Sequence, residues 1–203
     1  VASDTRGVFG GGYPTATAGN VMDYITIAST GNATDFGDLT LNRYSLAGVT
    51  SQTRGVFGGG GAASGESNVM DYITIASTGN ATDFGDLTLA RSGLAGVNSD
   101  TRGVFGGGYN SGNSNVIDYI TIASTGNATD FGDLTVARYA VAGVNSDTRG
   151  VFCGGYIQGV GRTNVMDYIT IDSTGNATDF GDLSSNRQTQ AGVSSLTRGV
   201  LGG

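Results

Sequence analysis

Short apolar stretches, separated by glycines and polar turns, run the length of the chain. Val69-Met70-Asp71-Tyr72-Ile73-Thr74-Ile75 is representative. Alternate residues of a strand face opposite sides, so Val69, Asp71, Ile73 and Ile75 share one side and Met70, Tyr72 and Thr74 the other. Both sides carry apolar bulk. A sheet open to water on one side alternates more cleanly, so this strand is predicted to be covered on both. Arg54–Gly60 before it is apolar and closes on glycines. After it, Ser77-Thr78-Gly79-Asn80 is a turn signal. Ala81–Leu87 then predicts a third strand and Arg91–Val97 a fourth.

This four-strand pattern recurs. Thr101-Arg102-Gly103-Val104-Phe105-Gly106-Gly107-Gly108 returns almost unchanged at Thr5–Gly12, Thr53–Gly60 and Thr148–Gly155, and shortened at Thr197–Gly203, with a period of 47–49 residues. Self-similarity at such a period marks a repeat architecture. Residues 1–203 are therefore expected to form one array, with repeats starting near 5, 53, 101 and 148 and a partial fifth from 197. The double-glycine strand occurs five times, the others four. In a closed four-unit ring the first and last copies would compete for one slot. The expectation is an array that continues beyond this chain, or an end strand that pairs outside its own ring, with homo-oligomers through unpaired end strands as one consequence.

Composition narrows the field. Glycine supplies 37 residues and proline one, while histidine, tryptophan and lysine are absent. Many short strands with tight turns fit that balance. The net charge of −7 argues against nucleic acid, whose phosphates require a basic stripe. No apolar run approaches the ~20 residues of a membrane helix, so no membrane partner is expected. Cys153 stands where the other full copies have Gly10, Gly58 and Gly106. It reads as a small residue at a glycine position, with a reactive thiol as the minor alternative. The repeated pairs of arginines and the aspartates around them predict bidentate bridges between strands.

Certain residues resemble a known family, the kelch repeat, a four-stranded propeller blade. The resemblance rests on an arginine opening the innermost strand (Arg43, Arg91, Arg138, Arg187) and a double glycine ending the second (Gly58-Gly59, Gly106-Gly107, Gly154-Gly155). It extends to a tyrosine in the third strand (Tyr24, Tyr72, Tyr119, Tyr168) and an aromatic in the fourth (Phe36, Phe84, Phe131, Phe180). The usual outer-strand tryptophan is phenylalanine throughout. The resemblance implies an all-β, kelch-type β-propeller with about four four-stranded blades, possibly an open fragment of a larger array. The wording of the repeats is also similar to kelch-type arrays in structural proteins of marine bacteriophages, which implies a virion or extracellular setting.

Candidate chemistry is sparse. Asp83 and Asp86 lie three apart, on opposite faces of a strand unless a bulge intervenes, and their spacing misses the calcium-loop pattern; no metal or other cofactor is expected. Ser77–Phe84 resembles the outline of the sialidase-type Asp box, which is structural even where genuine. Asn32, Asn80, Asn127 and Asn176 open formal glycosylation sequons, all explained by repetition of one turn. The kelch enzymes that are galactose oxidases hold copper with tyrosine and histidine, and this chain has no histidine. No nucleophile–base–orienter set is visible. The chain is read as no enzyme.

The most informative comparison is between copies. Ser-Thr-Gly-Asn-Ala-Thr is identical in all four, whereas the loop after the double glycine and the segment after the inner arginine differ each time. In a kelch-like blade both variable segments lie on one face. Binding residues commonly sit on loops held by a rigid scaffold, and tyrosine, serine, glycine and asparagine form a paratope-like palette. The candidate ligand-binding residues are Tyr13, Thr15, Tyr44, Glu66, Tyr109, Asn110, Tyr139, Tyr156, Gln158 and Arg162. The expected function is a non-enzymatic module of a phage virion appendage that recognises a host-surface glycan or protein. The alternatives are a structural module packed against other virion proteins and, third, a cellular kelch adaptor for peptides.

Overall fold

The computed structural model describes residues 1–13 and 19–203. The chain is all-β, with antiparallel pairing throughout. The first sheet contains β1 (Arg6–Gly12), β2 (Gly19–Thr26) and β3 (Thr34–Asp38) in that order. Val1 and Val8 exchange backbone bonds of 2.9 and 3.0 Å, so the first residues begin a further strand beside β1.

The second sheet follows the same plan. Its main strands are β4 (Ala47–Thr50), β5 (Arg54–Gly58), β8 (Val69–Thr74) and β9 (Thr82–Asp86), with a small ribbon of β6 (Gly61–Ala62) and β7 (Gly65–Glu66) inserted between β5 and β8. The third is β10 (Ala95–Asn98), β11 (Arg102–Gly106), β12 (Val116–Thr121) and β13 (Thr129–Asp133). The fourth is β14 (Ala142–Asn145), β15 (Arg149–Cys153), β17 (Gly161–Thr170) and β18 (Thr178–Arg187), with β16 (Tyr156–Ile157) paired to β17. β19 (Ala191–Ser194) and β20 (Gly199–Gly202) form a final two-stranded unit. Each outer pair carries a bulge at the same place, as between Met70 and Asp71.

Burial on both faces of β8 follows the sequence pattern: Met70, Asp71, Ile73 and Ile75 are all buried. The covering comes from neighbouring sheets. Val49 fills a notch made by Gly96 and Gly103 of the next sheet, where a Cβ would stand 3.0 and 2.5 Å from its methyls. Val97 does the same against Gly143 and Gly150. The rings of Phe57, Phe105 and Phe152 lie over Gly10, Gly58 and Gly106 of the preceding sheet. Cys153 takes that glycine position in the fourth sheet and is itself buried.

The invariant turn is a clamp between sheets. Gly79 N–H donates to Phe36 O (2.7 Å), Ala81 N–H to Asp38 O (2.8 Å), and Asp38 N–H to Asn80 Oδ1 (3.0 Å). The same bonds recur from the turns at Gly126 and Gly175. The identity of these three turns thus has a structural reason that does not involve glycosylation.

The two arginines of a repeat do different work, which corrects the expectation that both pair with carboxylates. Arg43, Arg91 and Arg138 are fully buried and pair with the equally buried Asp71, Asp118 and Asp167. Arg6, Arg54 and Arg102 instead stack over Tyr24, Tyr72 and Tyr119, 4.3–4.4 Å from the ring centres. Each reaches the next sheet, donating to Ile75 O, Ile122 O or Ile171 O at 2.9–3.1 Å.

The fold therefore depends on paired buried charges and on bare glycine backbone. Asp118→Ala strands the Arg91 guanidinium without its carboxylate and is expected to cost about 3–5 kcal/mol. Gly85→Ala sets a Cβ 2.5 Å from the Gly126 carbonyl at a φ of +135° and is expected to cost about 3 kcal/mol. Urea unfolding followed by circular dichroism measures both. Losses no larger than that of the exposed Asp147→Ala would contradict the assignment.

Candidate binding site

The buried arginines set the site by anchoring the connection that enters each inner strand. Arg91 Nε donates to Gly107 O (2.8 Å), Nη1 to Asp118 Oδ2 (2.7 Å) and Leu89 O (3.2 Å), and Nη2 to Phe105 O (3.2 Å). Thr88 donates to the other carboxylate oxygen. Arg138 repeats this set with Gly154, Asp167, Val136 and Phe152. Burial pushes the Arg43 and Arg91 guanidinium pKa values below their ordinary value, opposed by Asp71 and Asp118.

The segment directly after each anchor is not strand. The sequence pattern predicts a fourth strand from Arg91, but β10 starts only at Ala95. The interruption is a left-handed residue two positions after each arginine: Ser45, Gly93, Ala140 and Thr189, with φ of 51–64°. Gly93 N–H donates to Ser45 O (2.9 Å), Ala140 N–H to Gly93 O (2.8 Å) and Thr189 N–H to Ala140 O (3.1 Å). A single line of hydrogen bonds thus runs across four repeats. Only one of the four is glycine. A left-handed residue with a Cβ costs roughly 1–2 kcal/mol, and such strain gathers where a structure holds a shape for use.

The segment after the arginine of one repeat lies beside the loop after the double glycine of the next. Tyr44 exchanges backbone bonds with Gly61 (2.8 and 3.0 Å), Ser92 with Tyr109 (2.8 and 3.0 Å), and Tyr139 with Tyr156 (2.7 and 3.1 Å). Together with the hydrogen-bonded line they wall a cavity of about 470 Å³. Tyr44, Tyr109 and Tyr139 supply rings, Leu46, Leu94 and Val141 apolar floor, and Ser45, Ser92, Gln188 and Gln190 polar groups.

Among the residues expected from sequence, Tyr44, Tyr109 and Tyr139 meet in this cavity. Tyr13 packs edge-on against Tyr44, with ring centres 5.1 Å apart, and Tyr156 against Tyr139 at 5.4 Å. These two support the wall. Asn110 closes its own loop by donating to Gly112 O, and Glu66 sits in β7, away from the cavity. Gln158 is exposed in the turn between β16 and β17. Arg162 borders a separate depression with Arg187 and Gly203. Thr15 lies outside the described residues.

Gln188 and Gln190 are additions that the sequence pattern does not single out. Gln190 is 9% exposed, and neither its amide nitrogen nor its oxygen has a partner among the described residues; the oxygen of Gln188 is in the same position. A signal is nonetheless present in the repeats: Gln190 stands where the other copies have Leu46, Leu94 and Val141. Buried polar groups without partners are uncommon and call for an explanation. The bulge beside Asp83 breaks the simple alternation toward Asp86, yet no group of three or more potential metal-ligating side chains occurs among the described residues.

The sequence matches no protein-family model and has no significant match among curated proteins.

The cysteine is not placed for chemistry. Cys153 is buried within the fourth sheet, and burial first, with Asp167 adding and Arg138 opposing, pushes its thiol up to about 11. The thiolate that reacts is therefore scarce at pH 8. Native protein is expected to react with a disulfide reagent at pH 8 at least a hundredfold more slowly than protein in 6 M guanidinium, as measured by thionitrobenzoate release. Equal rates would show an accessible thiol.

Proposed function

We propose that the chain is a non-enzymatic binding module whose cavity takes a carbohydrate. The observation that carries this reading is the convergence of the variable residues on one concavity, with aromatic rings on its wall and, bordering it, two glutamines with buried amide atoms that lack partners among the described residues. A sugar has apolar faces that lie against aromatic rings and hydroxyls that give and accept hydrogen bonds. The three cavity tyrosines offer the first kind of contact, and Gln188 and Gln190 offer the second. Pockets with an apolar lining and a few placed polar groups are the common form of small-ligand sites. The left-handed line adds rigidity, so little ordering remains to be done on binding.

The wider setting belongs to the same proposal. The recurrent four-stranded sheets, with both variable segments on one side, fit a kelch-type propeller array of about four blades. The repeat wording fits an appendage of a phage virion, where the ligand would be a host-surface glycan. The side-by-side variable segments and the acidic, arginine-only charge pattern favour this over a peptide adaptor.

A glycan array probed with the purified chain, with and without calcium, tests the reading. Specific binding is expected, weakened about tenfold or more in Tyr109→Ala and in Gln190→Leu, the latter restoring the residue type of the other repeats. A tenfold loss corresponds to about 1.4 kcal/mol. No glycan bound, or binding indifferent to both substitutions, would overturn the carbohydrate reading. A calcium requirement would move attention to the aspartate-bearing hairpins.

A further inference from the structure

Each junction between neighbouring sheets repeats one set of contacts, and each end of the array presents half of that set. Three buried arginines each hold an aspartate in the sheet that follows. Arg187 occupies the same place in the fourth copy, and among the described residues it has no carboxylate; its Nε donates only to Ser185 Oγ at 2.9 Å. Asp23 is its counterpart. It lies opposite Phe9, as Asp71 lies opposite Phe57, it is exposed, and no guanidinium reaches it among the described residues.

Other contacts are divided in the same way. Arg6, Arg54 and Arg102 donate to an isoleucine carbonyl of the next sheet. Arg149 stacks over Tyr168, and among the described residues it has no such acceptor and Ile27 O no such donor. The clamp from Gly79 to Phe36, with its bond from Asp38 to Asn80, has no equivalent among the described residues at Phe180 and Asp182, nor at Gly31 and Asn32. Burial follows suit: Phe36, Phe84 and Phe131 are each 2% exposed, Phe180 46%. A Cβ added at Gly37, Gly85 or Gly132 would strike the next turn, and at Gly181 it meets nothing.

We infer that the face bearing Arg149, Phe180, Asp182 and Arg187 accepts the β2–β3 hairpin of a second copy of this chain. The hairpin joins β19 and β20 as the third and fourth strands of their sheet. The register is already written: Thr197–Gly203 repeats Thr5–Gly11 with the single change of Phe9 to Leu201, so Leu201 stands opposite Asp23 and Val200 opposite Tyr24. Asp23 then reaches Arg187, Ile27 O meets Arg149, and the Gly31–Asn32 turn clamps Phe180 and Asp182. Ser184 brings a hydroxyl to the carboxylate, where Thr40, Thr88 and Thr135 do so internally. The incoming copy releases its own β1, whose place β20 takes. The contact joins unlike faces, so repetition closes a ring or extends a filament. The occupant is argued from continuity with three internal junctions and from one unpaired charge of each sign, and it does not rest on the carbohydrate reading.

Light scattering after size exclusion tests this on the intact chain. Wild type is expected at a multiple of the chain mass at tens of micromolar. Arg187→Asp and Asp23→Arg are each expected at the mass of one chain, with an unchanged far-ultraviolet spectrum. An equimolar mixture of the two single variants is expected to assemble again, as is the double variant, because each then offers opposite charges across the junction. Wild type at the mass of one chain throughout, including a chain closed on itself, would overturn the inference. So would Arg187→Asp with the wild-type mass, or a mixture that stays monomeric.

Discussion

A guanidinium without access to water must find acceptors for its N–H groups, and the structure is arranged around meeting that demand. Arg91 does so with one carboxylate and three carbonyls drawn from the connection before it and from two strands of its sheet. Breaking such a pair leaves a buried charge uncompensated, which costs far more than the pair contributes relative to an apolar substitute. The gain is positional. Leu89, Phe105, Gly107 and Asp118 are all referred to one rigid fork, so the connection cannot slide along the sheet. The next residues are then held where their backbone turns left-handed, and the cavity wall follows from that turn.

Neighbouring sheets are joined through backbone more than through side chains. Val49 sits against two glycines, Phe105 lies over a third, and the Gly126 turn meets Gly85. Each contact needs the absence of a Cβ on one partner. Apolar burial here is therefore reached by close approach of main chain, and the hydrogen bonds that accompany it all have main chain on at least one side. The identity of the repeats is a consequence: every junction uses the same residues on both sides, as in other arrays whose units touch only their neighbours. Freedom to vary is left to residues outside the junction, which are the residues that line the cavity.

That division explains what could be read from sequence. The repeat, the strand pattern and the double covering of the Val69–Ile75 strand were legible because periodicity and apolar bulk encode them. The division of labour between arginines was not, since Arg54 spends its charge on a carbonyl, and carbonyls leave no mark in a sequence. The break in the fourth strand was hidden for a similar reason. Glycine at 93 hints at a left-handed turn, but Ser45, Ala140 and Thr189 do not. Tyr44, Tyr109 and Tyr139 could be named individually, yet their meeting depends on a hydrogen-bonded line across repeats that no single repeat contains. Gln190 was legible in principle, as the one polar residue at an otherwise apolar repeat position.

The cavity and the open face share a short stretch of chain. Arg187 belongs to the face, and Gln188, Thr189 and Gln190, the next three residues, form the last wall of the cavity. In the internal copies the arginine is locked by its aspartate before the chain turns left-handed. In the fourth copy the left-handed turn at Thr189 is present without that lock, although a β-branched residue is among the least suited to it. Supplying a carboxylate to Arg187 would therefore fix the wall that carries both glutamines. Ordering a site in advance raises affinity by removing a cost that binding would otherwise bear. Contact at the face and occupancy of the cavity would then favour one another, and by linkage the effect would be equal in both directions.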